Sequence, residues 1–375
     1  MKPLSVYIHI PFCVQKCKYC DFLSAPSTQE NRKQYIAALK REIINEAVNY
    51  KEYEIETIFF GGGTPSILKE GEIEDCIEVL RGNYQISRLC EITLEMNPGT
   101  ANMQKLEGWR RAGVNRLSIG LQSANDNELK LIGRIHDFDT FKKSYEQARA
   151  AGFDNINVDL MSALPGQTVS GWRNTLNRVL ALHPEHISAY SLIVEEGTPL
   201  SEHIEEYPPI PSEDEDREMY RDTKRILKEQ GFMRYEVSNY AKEGRECRHN
   251  VTYWTRGDYA GFGLGASSMV DNTRWHNTEN MDKYLKNPAK SKEDIQKLSK
   301  NDCMEEFMFL GLRMMQGVSK KRFFDEFGIK MDEIYGDVLE KWEKTEHLKV
   351  MDDNVFLTDS GIDISNAIFT DFLIE

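Results

Sequence analysis

Cys13-Val14-Gln15-Lys16-Cys17-Lys18-Tyr19-Cys20 follows closely on the strand-like run Val6-Tyr7-Ile8-His9-Ile10. Three thiolates on so short a loop can converge on one soft metal centre, because sulfur ligands select zinc, copper(I) or iron–sulfur clusters. A cubane [4Fe–4S] cluster ordinarily takes four cysteines, yet the next cysteine in the chain is Cys76. Three local ligands would therefore leave one iron open to a ligand from outside the chain. The alternative is a structural zinc completed by a distant Cys or His. Zinc pairs usually read Cys-x2-Cys, and a three-residue gap followed by a two-residue gap fits them poorly. The spacing favours the cluster.

Outward from this loop the chain alternates. Ser27 or Thr28 can cap a helix to about Asn49, with Tyr35, Leu39, Ile43 and Ala47 at helical spacing. Strands are expected at Glu56 to Phe60, Glu91 to Met96, Arg116 to Leu121, Asn155 to Met161 and His186 to Ile193. Helices are expected between them at 70–81, 101–112, 138–151 and 169–182. With the run at Val6 this makes six strands separated by helices, hence parallel βα units in an α/β fold. Polar or glycine-rich features recur at strand ends: the cysteine loop, Gly62 to Thr64, Glu95, Gln122 and Asp159. A barrel gathers those ends on one rim, whereas an open sheet confines a site to one crevice. Features shared among five strands favour a partial, TIM-like (β/α)6 barrel.

Tyr7-Ile8-His9-Ile10-Pro11-Phe12-Cys13 running into Cys17 and Cys20 resembles the opening of radical S-adenosylmethionine (SAM) proteins. More narrowly it resembles oxygen-independent coproporphyrinogen III oxidase (HemN) and its relatives, the HemW-type heme chaperones. The likeness extends along nearly the whole chain. An open iron on a low-potential cluster is what reductive cleavage of SAM requires. The resemblance implies cluster ligation by Cys13, Cys17 and Cys20, and a radical SAM barrel over residues 1–200. It also implies SAM contacts from Tyr7, Gly62, Gly63, Thr64, Glu95, Gln122, Arg134 and Asp159. The residue types suit this: glycine permits close backbone approach, carboxylates can take ribose hydroxyls or an amino group, and Arg can clamp a carboxylate. A purely structural alternative is an ion pair of Arg134 with Glu95 or Asp159, and a tight turn at Gly61-Gly62-Gly63. Tyr7 and His9 share one strand face, and His9 takes no assigned role.

Beyond residue 200 the composition shifts. Residues 201–216 are acidic and carry Pro208, Pro209 and Pro211, leading into a helix from Ser212 to about Gln230. Cys247-Arg248-His249-Asn250-Val251-Thr252-Tyr253-Trp254 resembles the HNxxYW signature of HemW-type chaperones, which implies heme contact with His249 as the candidate ligand. Cys247 and His276 are weaker candidates. The structural alternative for this stretch is His249 hydrogen-bonded to backbone, with Tyr253 and Trp254 as core. Gly261 to Ser268 is a second glycine segment, expected either to close against the barrel mouth or to form a tight turn under a sheet edge. An extension over 201–286 is thus expected, then a linker at 287–301. Residues 287–375 are expected to form a small winged-helix-like α+β domain, with helices near 303–315, 319–327 and 331–345 and strands at 348–351 and 355–358.

A net charge of −14 over 375 residues disfavours a nucleic-acid partner, since that affinity rests on clustered Lys and Arg. Seven cysteines, four of them scattered, do not form a disulfide framework. Neither a signal peptide nor a transmembrane run is apparent, so the chain is expected in the cytoplasm. Oxidases of the resembled subgroup carry a further cysteine two residues after the third; Phe22 stands there. That departure and the His249 motif point to a heme carrier with a [4Fe–4S] cluster and SAM site. It would bind heme and pass it to an acceptor such as a membrane-bound cytochrome. The alternative is coproporphyrinogen III oxidase chemistry in porphyrin biosynthesis.

Overall fold

A computed structural model describes residues 1–374. Six parallel strands carry the alternation: β1 (Lys2–Ile10), β2 (Tyr53–Gly62), β3 (Gln85–Met96), β4 (Arg116–Gln122), β5 (Ile156–Ser162) and β6 (His186–Ser191), paired in that order. A seventh, β7 (Tyr259–Phe262), pairs in parallel with the free side of β1, Tyr7 opposite Gly261. Short antiparallel strands extend both edges to twelve strands. The connecting helices are α1 (Gln29–Glu46), α2 (Glu72–Asn83), α3 (Met103–Ala112), α4 (Asp126–Leu131), α5 (Phe138–Ala150) and α6 (Val169–Leu180). The partial barrel expected from the sequence is therefore present.

Strand residues alternate between two environments because successive side chains point to opposite faces. Outward-facing Val6, Ile8, Ile58, Leu94, Leu117, Ile119 and Val158 are fully buried under the helices in one continuous core. The inward set is polar instead: Tyr7 pairs with Phe59, Phe59 with Thr93, and Thr93 with Arg116. Ser118, Asn157 and His186 form the next row. Barrels of this general kind usually fill their interior with branched apolar side chains; here the interior is a lined space.

Thr28 caps α1, its side chain accepting from the Asn31 N–H. On α1 Glu42 is buried as well as the apolar positions, accepting from Tyr284 Oη (2.5 Å), Asn277 Nδ2 (2.6 Å) and the Gly263 N–H (2.9 Å). Burial nevertheless pushes its carboxyl up to about 8. Ser212 caps the expected acidic helix, α7 (Glu213–Glu229), through a reciprocal bond pair with Glu215. The HNxxYW stretch is a short helix, α8 (Arg248–Trp254), whose first N–H groups are held by Glu91 of β3.

The expectation of a linker at 287–301 is corrected: Lys292–Lys297 is an edge strand paired with Thr273–Asn277, and a helix starts at Lys300. Its Lys- and Asn-rich composition suits an exposed sheet edge as well as a loop. Helices at Lys300–Gly311, Lys320–Phe327 and Met331–Lys344 follow. With a three-stranded sheet they enclose a second core including Phe307, Phe323, Tyr335 and Val355.

Candidate functional site

The cysteine loop is pinned at both ends by backbone hydrogen bonds. Gly63 N–H donates to the Ile10 carbonyl (2.9 Å) and Thr64 N–H to that of Phe12 (2.7 Å); further on, Lys18 N–H donates to the Ile132 carbonyl (3.0 Å). Here the glycines are needed for packing. A side chain at Gly62, where φ is +108°, would stand 2.5 Å from the His9 ring, and one at Gly63 would stand 2.6 Å from the Phe12 carbonyl oxygen. The tight-turn alternative thus accounts for part of this segment.

Cys13, Cys17 and Cys20 all open onto one cavity of about 500 Å³ at the C-terminal ends of the strands, the size range of small-molecule sites. Burial pushes the Cys20 thiol up, and neighbouring Cys17 and Cys13 add to it. Thr64 Oγ1 donates to Cys13 Sγ (3.6 Å) and the Arg134 guanidinium to Cys17 Sγ (3.6 Å). Among the described residues no three His, Cys, Asp or Glu are gathered tightly enough for one ion.

Seven of the eight expected SAM contacts line the same cavity: Gly62, Gly63, Thr64, Glu95, Gln122, Arg134 and Asp159. Tyr7 does not. It lies one layer deeper, its hydroxyl donating to His9 Nδ1 (3.0 Å) while His9 Nε2–H donates to the Leu23 carbonyl (2.9 Å). Asp159 is mid-strand rather than at a strand end, so it faces both the cavity and the deeper interior. The ion pairs that would have explained Arg134 structurally are absent among the described residues. Its guanidinium goes to Asn97 Oδ1 (2.8 Å) and the Gly120 carbonyl, and Nε has no partner. Glu95 accepts only the Gly62 N–H (3.2 Å); burial, then the nearby Asp159, push its carboxyl up to about 8. A half-buried cation and a half-buried carboxyl, unpaired with each other across a cavity, are costly unless a ligand satisfies them. This donor set fits an amino-acid-bearing ligand beside a sulfur-bound cluster.

Gln122 holds a left-handed φ of +73°, a strained position for a non-glycine residue, and accepts from Tyr190 Oη (3.2 Å). Tyr190 and Asn97 were not singled out from sequence. Asn97 donates to Thr64 Oγ1 (2.8 Å) while accepting from Arg134, tying two expected contacts together. Period-two alternation from Ser188 would have pointed Tyr190 inward. Phe22 lies at the mouth, 59 % exposed. The Gly261 to Ser268 segment does not line the cavity: it ends β7 and turns tightly against Tyr35 and the His9 carbonyl.

His249 is 1 % exposed and lies in the lower half of the barrel. Thr57 donates its hydroxyl proton to Ser5 Oγ (2.7 Å) and so accepts from His249 Nδ1–H (2.8 Å). Nε2 then accepts from Tyr253 Oη (2.8 Å). The neutral Nδ1–H tautomer is thereby fixed; burial, then the Arg116 charge, hold the ring down to about 3. Cys247 is fully buried against Glu91, and His276 pairs with Asp294 at an exposed edge, so neither joins His249.

Comparison with known proteins accords with this geometry. The Radical SAM superfamily profile matches residues 7–179 and the HemN C-terminal domain matches residues 298–364. The heme chaperone HemW of Bacillus subtilis is 37 % identical over 99 % of this chain and 99 % of its own length. The chain belongs to the HemW family of radical SAM proteins. Heme chaperone HemW of Lactococcus lactis is 35 % identical over 100 % of this chain and 98 % of its own length. Coproporphyrinogen III oxidase (HemN) of Escherichia coli shares the fold, with a TM-score of 0.85 at 23 % identity over 99 % of this chain and 90 % of that one. Among the described residues no helix is long and apolar enough to cross a membrane.

Proposed function

We propose that this chain is a heme chaperone that binds heme and hands it to an acceptor protein such as a membrane-bound cytochrome. It would retain a [4Fe–4S] cluster on Cys13, Cys17 and Cys20 and a SAM site beside it, and act in the reducing cytoplasm. One observation carries the cofactor part of the reading. Three thiols open onto a cavity whose half-buried Arg134 and Glu95 have no carboxylate or cation paired with them among the described residues. When bound, the cluster and SAM together supply low-potential one-electron chemistry. The chain's own residues do the positioning. Arg134 is placed to take a carboxylate, Glu95 to take an amino group, and Gln122, held by Tyr190, to meet a polar edge. Beneath them the Tyr7 hydroxyl donates a hydrogen bond to His9 Nδ1.

Heme binding comes from the family. Metal-ligating histidines characteristically donate the other ring N–H to an oxygen, which fixes the ring and its lone pair. His249 has that arrangement: Nδ1–H is held by Thr57, and the Nε2 lone pair is capped only by the Tyr253 hydroxyl. Ligation by His249 therefore needs α8 to move and Tyr253 to turn away. The test has three arms. Anaerobic reconstitution with iron and sulfide should give a brown chromophore that Cys17→Ala abolishes. Added heme should give a saturable Soret band that weakens in His249→Ala. Conversion of coproporphyrinogen III to protoporphyrinogen IX by the reconstituted protein would overturn the carrier assignment.

A further inference from the structure

Beneath the cavity the barrel encloses a second space of about 230 Å³, bounded above by Glu95, Ser118 and Asp159 and below by His249 and Tyr253. Arg116, 2 % exposed, lines it. Arginine stays charged in proteins and presents a planar fork of donors. This fork is unclaimed. Its Nε has no hydrogen-bond partner, and the carboxylates Glu91 and Asp159 act on the group only over a distance. The carboxylates facing it are engaged elsewhere. Asp159 accepts from Ser118 (3.0 Å) and Asn157 (2.7 Å), Glu91 from the N–H groups of Arg248 and His249, and Glu95 from Gly62. Thr93 Oγ1 on the neighbouring strand is likewise buried without a partner. A buried cation with no counter-ion in contact is unfavourable, and a two-pronged anion is its natural complement.

We propose that this chamber is a binding site for a single carboxylate group of acetate to propionate size, held bidentately by Arg116. The volume of about 230 Å³ is too small for a tetrapyrrole macrocycle. A doubly charged phosphate would meet Glu95 and Asp159 with only one cation to match it, whereas a carboxylate balances that cation. Because the chamber shares Glu95, Ser118 and Asp159 with the cavity above, the carboxylate is either a free small acid or the arm of a ligand seated there.

Carbon-13-labelled propionate titrated onto the purified chain, followed by ligand-observed NMR, should bind saturably at one site, and methyl propionate should not compete. Arg116→Lys keeps the charge but loses the fork, and should weaken binding at least about tenfold. Ser188→Leu narrows the chamber from β6 without altering the cation, and should weaken binding; it carries the test should the Arg116 variant fail to fold. Displacement of propionate by heme identifies the ligand arm as a tetrapyrrole propionate, and its persistence identifies a free acid. No saturable binding by the parent chain, or equal binding by the folded variants, overturns the site. These outcomes do not depend on cluster assembly or on a Soret band, so failure here is distinguishable from failure of the chaperone reading.

Discussion

Acidifying the parent chain and a His249→Gln variant side by side tests the interior assigned to the HNxxYW helix. His249 is held neutral by burial and by the nearby Arg116 charge, its ring lowered from 6.5 to about 3. The unfolded chain therefore binds a proton that the folded chain refuses. The sign follows: this contribution is complete above about pH 6.5 and is lost progressively as the pH falls from there toward about 3. At about 1.4 kcal/mol per pH unit over that interval, roughly 2 kcal/mol has gone by pH 5. Gln does not titrate and keeps one donor and one acceptor for Thr57 and Tyr253. The variant should be about 1–3 kcal/mol less stable at pH 7, the cost of imperfectly paired buried groups. Its deficit should shrink by about 2 kcal/mol at pH 5. His136 and His186, also lowered by burial, titrate equally in both chains and cancel in the difference. Urea unfolding followed by circular dichroism at the two pH values measures the gap. A gap constant to within about 0.5 kcal/mol, the usual tolerance of additivity, would show that His249 is not held neutral inside the barrel.

Two further substitutions probe the supports of the site. Gly63→Ala places a methyl group 2.6 Å from the Phe12 carbonyl oxygen, against backbone that anchors the cysteine loop. It should cost about 1–3 kcal/mol, as overpacking does, and reduce iron uptake on reconstitution; thermal denaturation and iron analysis both matching the parent would refute the packing role. Arg256, on the chain just after α8, holds Glu326 (2.7 Å), Asn272 (2.8 Å) and buried Glu306 (3.4 Å). Arg256→Ala strips buried Glu306 of one of its two cations, Arg274 remaining. It should destabilise the C-terminal helices by about 1–3 kcal/mol, the cost of lost hydrogen bonds to charged groups, read as lost protection in hydrogen exchange at 300–311, and unchanged protection there would rule the contact out as a support.

The cysteine spacing, the six-fold alternation of strands and helices, and the caps at Thr28 and Ser212 were legible because each depends on residues close together in the chain. Local periodicity also placed Glu95 and Gln122 near strand ends, and the family resemblance pointed to Arg134. The edge strand at 292–297 was not legible, since its charged residues carry no alternation and only pairing with Thr273–Asn277 makes them a strand. Neither was the partnership of Glu91 with α8, which joins residues 157 apart in sequence. Nothing in Val114-Asn115-Arg116-Leu117 announced a cation without a partner. By itself, then, the sequence determined the barrel and the cysteine loop, because hydrophobic period and ligand spacing act over a few residues. Tertiary structure alone decided that Arg134 and Glu95 remain unpaired, that His249 is fixed by Thr57 and Tyr253, and that Arg116 faces a space inside the barrel. Which polar groups meet inside a barrel is set by the register between strands far apart in the chain, and no local pattern encodes that.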